Sequence, residues 1–129
     1  MEKGMYIKDV AQKTNLEPHT IRYYEQEGLL PFIERDEHGY RVFKESDLGW
    51  FDFINCLKIT GMSINDLRKI ITMTVNGEKD FDSRRKILLD HKKVLEQQQE
   101  ALDKAFNKVD VKLQYFNDLE KEYEKNSQN

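Results

Sequence analysis

Arg22 is followed directly by Tyr23 and Tyr24, and a second tyrosine–arginine pair, Tyr40 and Arg41, comes further along the same half of the chain. Guanidinium and phenol groups donate hydrogen bonds to phosphate oxygens, and arginine also reaches base edges, so these types suit an anionic polymer better than a reaction centre. The inventory for catalysis is poor. No nucleophile–base pair and no phosphate-cradling glycine loop stands out, and an enzyme is not expected. The single cysteine, Cys56, excludes a disulfide within the chain and a thiolate-rich metal or iron–sulfur site built by one protomer. His19, His38 and His91 are too scattered to replace it. Neither a metal nor another cofactor is expected.

Charge argues the other way. The chain of 129 residues carries 21 Lys+Arg against 24 Asp+Glu, a formal net charge of -3. Residues 1–76 hold 10 of those cations and 12 of the anions, so neither part is basic. Binding to nucleic acid then requires a local positive patch acting against the overall field. The mean hydropathy of -0.82 and 35% charged content imply a small core and much solvated surface, as a long exposed helix would give. No apolar run approaches the ~18 residues of a membrane span and no signal-peptide pattern opens the chain, so a cytoplasmic protein without membrane contact is expected.

The elements that must hold these side chains are short. The spacing predicts a helix over residues 7–13, a break at Thr14-Asn15, and a second helix over 18–27 that begins with Pro18 and stops at Gly28. Ala11 suits a close crossing, Asn15 suits a left-handed turn, and Ile21 faces the contact. That pattern fits either a helix-turn-helix or an ordinary helical hairpin. In RDEHGYRVF, residues 35–43, His38-Gly39 reads as a tight hairpin turn, and a hairpin after a helix-turn-helix reads as a wing with Tyr40 and Arg41 at its tip or returning strand. Ser46 is expected to cap a third helix over 47–60. Ser63 caps a fourth, with Asp66 three residues on and Met62 and Leu67 as a hydrophobic staple. Such a helix start suits a phosphate, and it is also simply a good cap.

A turn at Asn76-Gly77 marks the predicted domain boundary, giving residues 1–76 and 77–129. From about Phe81 the apolar positions become Leu88, Leu95, Leu102, Val109, Phe116 and Tyr123, seven apart, with His91, Gln98, Ala105, Lys112 and Leu119 as companions. That is a coiled-coil seam, and a second copy of the chain is the expected cover.

The segments TIRYYEQEGLL, RDEHGYRVF and LKITGMSINDLRKI come in one order and at distances that resemble the DNA-binding domain of the MerR family of bacterial transcription regulators, over roughly residues 5–73. His38 and Phe43 stand where the family more often has Asn and Tyr, and Phe32-Ile33-Glu34 where prolines are frequent. The resemblance implies an all-α fold with a small β-hairpin wing, a winged helix-turn-helix followed by a long dimerising helix. It implies a homodimer on a pseudo-palindromic promoter site, which activates by bending and untwisting DNA until RNA polymerase engages both promoter elements. Carried over residue by residue, His19 and Thr20 read bases, Arg22 and Tyr24 face DNA with Tyr23 as their neighbour, and Tyr40, Arg41, Lys58 and Ser63 bind backbone.

The signal is less legible. Drug-binding members carry a further ligand domain, whereas this chain ends soon after the helix; metal- and superoxide-sensing members use several cysteines there. Cys56, before LK and TGMS, resembles the single-cysteine branch that responds to aldehydes, other electrophiles or nitrosative stress. A helical wheel puts Trp50, Phe53, Ile54 and Leu57 on one face and Cys56 about 110° from its centre. Buried free cysteine as a small hydrophobe is the competing reading. A coiled-coil adaptor acting through protein contacts is the alternative to the whole.

Overall fold

The computed structural model describes residues 4–127. The chain forms two compact units, one reaching to Leu89 and the other starting at Asp90.

In the first unit, α1 (Ile7–Thr14) and α2 (Pro18–Gln26) are joined by a short turn in which Asn15 takes φ 58°. Left-handed backbone is most accessible to Gly and Asn, which is why the break falls there. Pro18 opens α2 as expected. The helix stops because Gly28 adopts φ +78°, and a Cβ at that position would meet Arg68 Nε at 3.2 Å. Arg68 in turn donates from Nε to the Glu27 carbonyl at 2.7 Å and pairs with the Glu27 carboxylate at 3.5 Å. The end of α2 is thus fastened by a residue far along the chain.

The wing is β1 (Glu34–Arg35) paired antiparallel with β2 (Arg41–Val42), with Glu34 opposite Val42 and Arg35 opposite Arg41. Its turn differs from the two-residue form expected around His38-Gly39. Gly39 N–H donates to the Asp36 carbonyl and Asp36 N–H to the Tyr40 carbonyl, enclosing a three-residue loop with Gly39 at φ +84°. This is a type I turn followed by a left-handed glycine. The cause is Asp36, whose Oδ1 accepts from both His38 and Tyr40 N–H groups at 2.9 Å and holds the wider loop closed. Met5 exchanges two backbone hydrogen bonds of 2.8 Å with Phe43, tying the N-terminal segment to the wing.

A 3₁₀ turn, Glu45–Asp47, leads into α3 (Leu48–Ile59). Ser46, the predicted cap, lies inside that turn. The capping contact comes from buried Asp47, whose carboxylate accepts from Lys44 N–H at 2.8 Å. After Gly61, α4 (Ile64–Val75) starts as the sequence predicts, with Ser63 Oγ accepting from Asp66 N–H at 3.1 Å and Met62 and Leu67 both buried. Val10, Ile21, Leu29, Phe43, Phe51, Ile54, Leu67 and Ile71 form the sealed core, with Tyr24 among them. The four helices α1 to α4 all contribute to it.

The last helix, α5, runs Phe81–Ser127. Asp80 caps it, accepting from Ser83 N–H and Oγ–H at 3.2 and 2.7 Å. Its first turns belong to the first unit: Ile87 packs on the core, and buried Arg84 donates to Thr74 Oγ1 at 2.9 Å and to the Glu78 carbonyl while lying over the Phe81 ring. At 47 residues the helix is about 70 Å long.

In the second unit, Leu102, Val109, Phe116 and Tyr123 are exposed along the predicted seam. Phe106 and Leu113, four residues after Leu102 and Val109, share their side of the helix and widen the stripe. His91, expected at a dimer interface, is 7% exposed.

Candidate nucleic-acid interface

On α2 the inward face is taken by Ile21 and Tyr24, three residues apart and therefore one above the other. Tyr24 is 2% exposed, so the ring expected to face a ligand is a core residue. Burial first, and the neighbouring Tyr23 second, push its phenol pKa up, which keeps it neutral. About 100° round the helix, Tyr23 is exposed instead. Of the two adjacent tyrosines, Tyr24 is the one that packs and Tyr23 the one that stays accessible. His19 and Arg22 are exposed on the outer side and Thr20 is half-buried.

Lys58, near the end of α3, sits with its ammonium 4.8 Å from the Tyr23 ring centre and 5.1 Å from that of Tyr24. This cation–π contact fixes a positive charge beside α2. Ser63 is exposed at the α4 start, its oxygen engaged by Asp66 N–H.

Between α2 and the wing lies a concave cleft of about 610 Å³. Arg22, Arg35, Arg41, His38, Tyr40 and Tyr6 all line it, so the fold brings the Arg22 of the helix together with the Tyr40 and Arg41 of the wing. His19, Thr20, Lys58 and Ser63 lie outside that lining. Tyr6 donates from its hydroxyl to Asp36 at 3.1 Å and meets the Tyr40 ring edge-on at 6.5 Å. The hydrogen bond to Asp36, with that carboxylate's charge, raises the Tyr6 pKa. Arg41 Nε and Arg35 Nη2 both donate to Glu25 Oε1, at 2.6 and 3.2 Å, and Arg35 Nη1 donates to the Gly39 carbonyl at 2.8 Å.

Three of these residues escaped the sequence reading. Arg35 was accessible in principle, because it and Arg41 stand symmetrically about His38 and a hairpin centred there pairs them. Glu25 and Tyr6 carry no local signal; each acquires its place through a contact made at long range.

Three guanidiniums, two phenols and a histidine stand around one concavity, and the single carboxylate in its lining, Asp36, is engaged by Tyr6 and by the His38 and Tyr40 N–H groups, so the arrangement can receive an anionic polymer backbone. Among the described residues no group of three His, Cys, Asp or Glu is placed to hold a metal ion, and no helix is long and apolar enough to cross a membrane. Cys56 lies away from the cleft lining. Its thiol is exposed on α3 and donates to Asp52 at 3.9 Å, a carboxylate one turn back, while Lys58 is turned to the tyrosine rings.

Known proteins share this fold. The sequence profile described as "MerR HTH family regulatory protein" matches residues 5–74. An uncharacterized HTH-type transcriptional regulator of Haemophilus influenzae is 33% identical over 106 residues, covering 82% of this chain and 78% of its own. The crystal structure of HiNmlR, a MerR family regulator lacking the sensor domain and bound to promoter DNA, superposes with a TM-score of 0.81 at 31% identity, over 88% of this chain and 90% of that one. A MerR family regulator from Bacillus thuringiensis gives 0.76 at 32% identity, over 86% and 97%.

Proposed function

Because the chain belongs to the MerR HTH family of regulatory proteins, and is a DNA-binding transcriptional regulator rather than an enzyme, we propose that it binds a pseudo-palindromic promoter site as a homodimer joined through α5. Each protomer reads one half-site. His19 and Thr20 open the recognition helix and meet base edges. Arg22 and Tyr23 follow on the same exposed side, and Tyr40, Arg41 and Arg35 hold phosphates from the wing. Lys58 and Ser63 meet backbone beyond the cleft.

The observation that carries this reading is the convergence of Arg22 with the wing arginines on one open cleft in a chain that is otherwise acidic. The solvent-facing stripe of α5 supports the dimer, since about 1.5–3 kcal/mol is gained for each large apolar side chain covered. Bound across two half-sites, such a dimer is able to bend and untwist the promoter between them, and RNA polymerase then engages both promoter elements. This places its action at the bacterial nucleoid in the cytoplasm.

Cys56 is the trigger in this proposal, in the manner of the single-cysteine branch of the family. Support comes from its access to solvent: an electrophile reaches the thiol without opening the core. An adduct displaces the thiol from Asp52 and adds bulk to α3, the helix whose end carries Lys58.

Selection of bound duplexes from a random pool by the purified protein tests the DNA-binding half. A recovered sequence with two inverted half-sites is expected; failure to enrich any sequence refutes it. A promoter reporter with wild type and Cys56→Ser, with and without an aldehyde or nitrosating agent, tests the trigger. An unchanged response in the variant removes Cys56 from that role.

A further inference from the structure

We propose that Glu25 is a positioning residue that fixes the two wing arginines beside the recognition helix, so that helix and wing meet DNA as one preset surface; this rests on the DNA-binding reading above. The register sets Arg35 directly across from Arg41. Like charges directly opposed on a strand pair destabilise it, and two strands of two residues each have little else to hold them. One oxygen of Glu25 answers both charges, accepting from Arg41 Nε and Arg35 Nη2.

The carboxylate comes from the last full turn of α2, next to sealed Tyr24, and is 24% exposed, as is the side chain of Arg41. Partial cover protects the contact from screening, and ionised partners make it a strong one. Each guanidinium gives only part of its donor edge to the protein: Arg41 uses Nε, and Arg35 uses Nη1 on Gly39 and Nη2 on Glu25. The remaining N–H groups are left for an anion. Arg22, Arg35 and Arg41 against Glu25 and Asp36 leave the patch one charge positive, within a chain whose overall charge of -3 repels DNA. Placement therefore matters more here than total charge.

This assignment makes a prediction opposite to simple electrostatics. Removing a negative charge from a DNA-facing surface strengthens non-specific binding. If Glu25 sets the arginines, Glu25→Gln weakens binding to the selected operator while leaving binding to a scrambled duplex equal or tighter. The ratio of the two affinities is expected to fall by roughly tenfold or more, the scale of one lost contact in each half-site. Glu25→Asp, one methylene shorter, reaches less well and falls between. In a background of Arg35→Gln and Arg41→Gln the added Glu25→Gln change leaves the ratio unaltered, because nothing remains to position; that background also lacks the repulsion, so it serves if the single variant unfolds. Operator binding by Glu25→Gln equal to or tighter than wild type overturns the proposal, as does an equal fall in the ratio in both backgrounds. If wild type itself prefers no sequence over a scrambled duplex, the DNA-binding reading fails instead, and the two failures are distinguished.

Discussion

Replacing Leu102 by Ala separates what α5 does within one chain from what it does between chains. Leu102 is 59% exposed in the single chain, so its own fold depends little on it, and alanine is the better helix former. In a seam closed by a second copy the same side chain is covered. Three carbons lost at about 0.8 kcal/mol each give about 2.4 kcal/mol per site. Two-fold symmetry doubles this to about 5 kcal/mol, which at 1.4 kcal/mol per decade weakens the dimer by roughly 10³-fold. Sedimentation equilibrium over a dilution series measures that change directly, and circular dichroism at concentrations where both proteins are dimeric checks that helix content is kept. Operator affinity falls in step at low protein concentration, because paired half-sites gain from one another only while linked. A dimer constant within about threefold of wild type refutes the seam, and with it the argument that these apolar side chains are reserved for a second copy.

The other expectations follow from single contacts. Arg22→Ala leaves the thermal transition within about 0.5 kcal/mol of wild type, as for an exposed side chain, but removes operator binding in a gel shift. Tyr24→Ala lowers stability by about 3–5 kcal/mol in urea unfolding, the cost of a large ring removed from a sealed core, whereas Tyr23→Ala costs stability little and DNA affinity more. Ser63→Ala removes the α4 cap and costs about 1 kcal/mol in the same assay. The Asp80 carboxyl has its pKa lowered by the two Ser83 hydrogen bonds, so the α5 cap stabilises above the ordinary carboxylate pKa and is lost as pH falls through the lowered one. Fraying of the first α5 turn at acid pH, followed by amide exchange near Ser83, is expected, and Ser83→Ala moves its onset to higher pH.

Local chemistry made most of the frame legible. Pro18 and Gly28 mark both ends of α2, Ser63 marks α4, and the seven-residue spacing marks α5, since each signal acts within a few residues of itself. Which of Tyr23 and Tyr24 packs was not legible, because adjacent helix positions look alike until the rest of the core chooses one of them. The same holds for the wing. Asp36, rather than His38-Gly39 alone, sets its turn; Met5 ties to it from the far end of the domain; and Glu25 joins its arginines to α2. Cys56 was legible as lying off the core face, whereas the Tyr23 and Tyr24 rings that Lys58 meets lie on another helix and were not.

The contact between Arg68 and the end of α2 spans 41 residues, and it gives the domain an order in time. A ribosome adds about 5–20 residues per second, so α2 waits roughly 2–8 s for Arg68 to be joined to the chain. During that interval a nine-residue helix lies below the length that holds alone in water, and the α4 side chains Leu67, Ile70 and Ile71 that complete its packing do not yet exist. The surface proposed to read DNA is therefore withheld until synthesis has passed α4. On the proposed reading, a fragment released earlier by stalled translation carries His19, Thr20 and Arg22 but not their shape, and so does not occupy an operator in place of the finished protein.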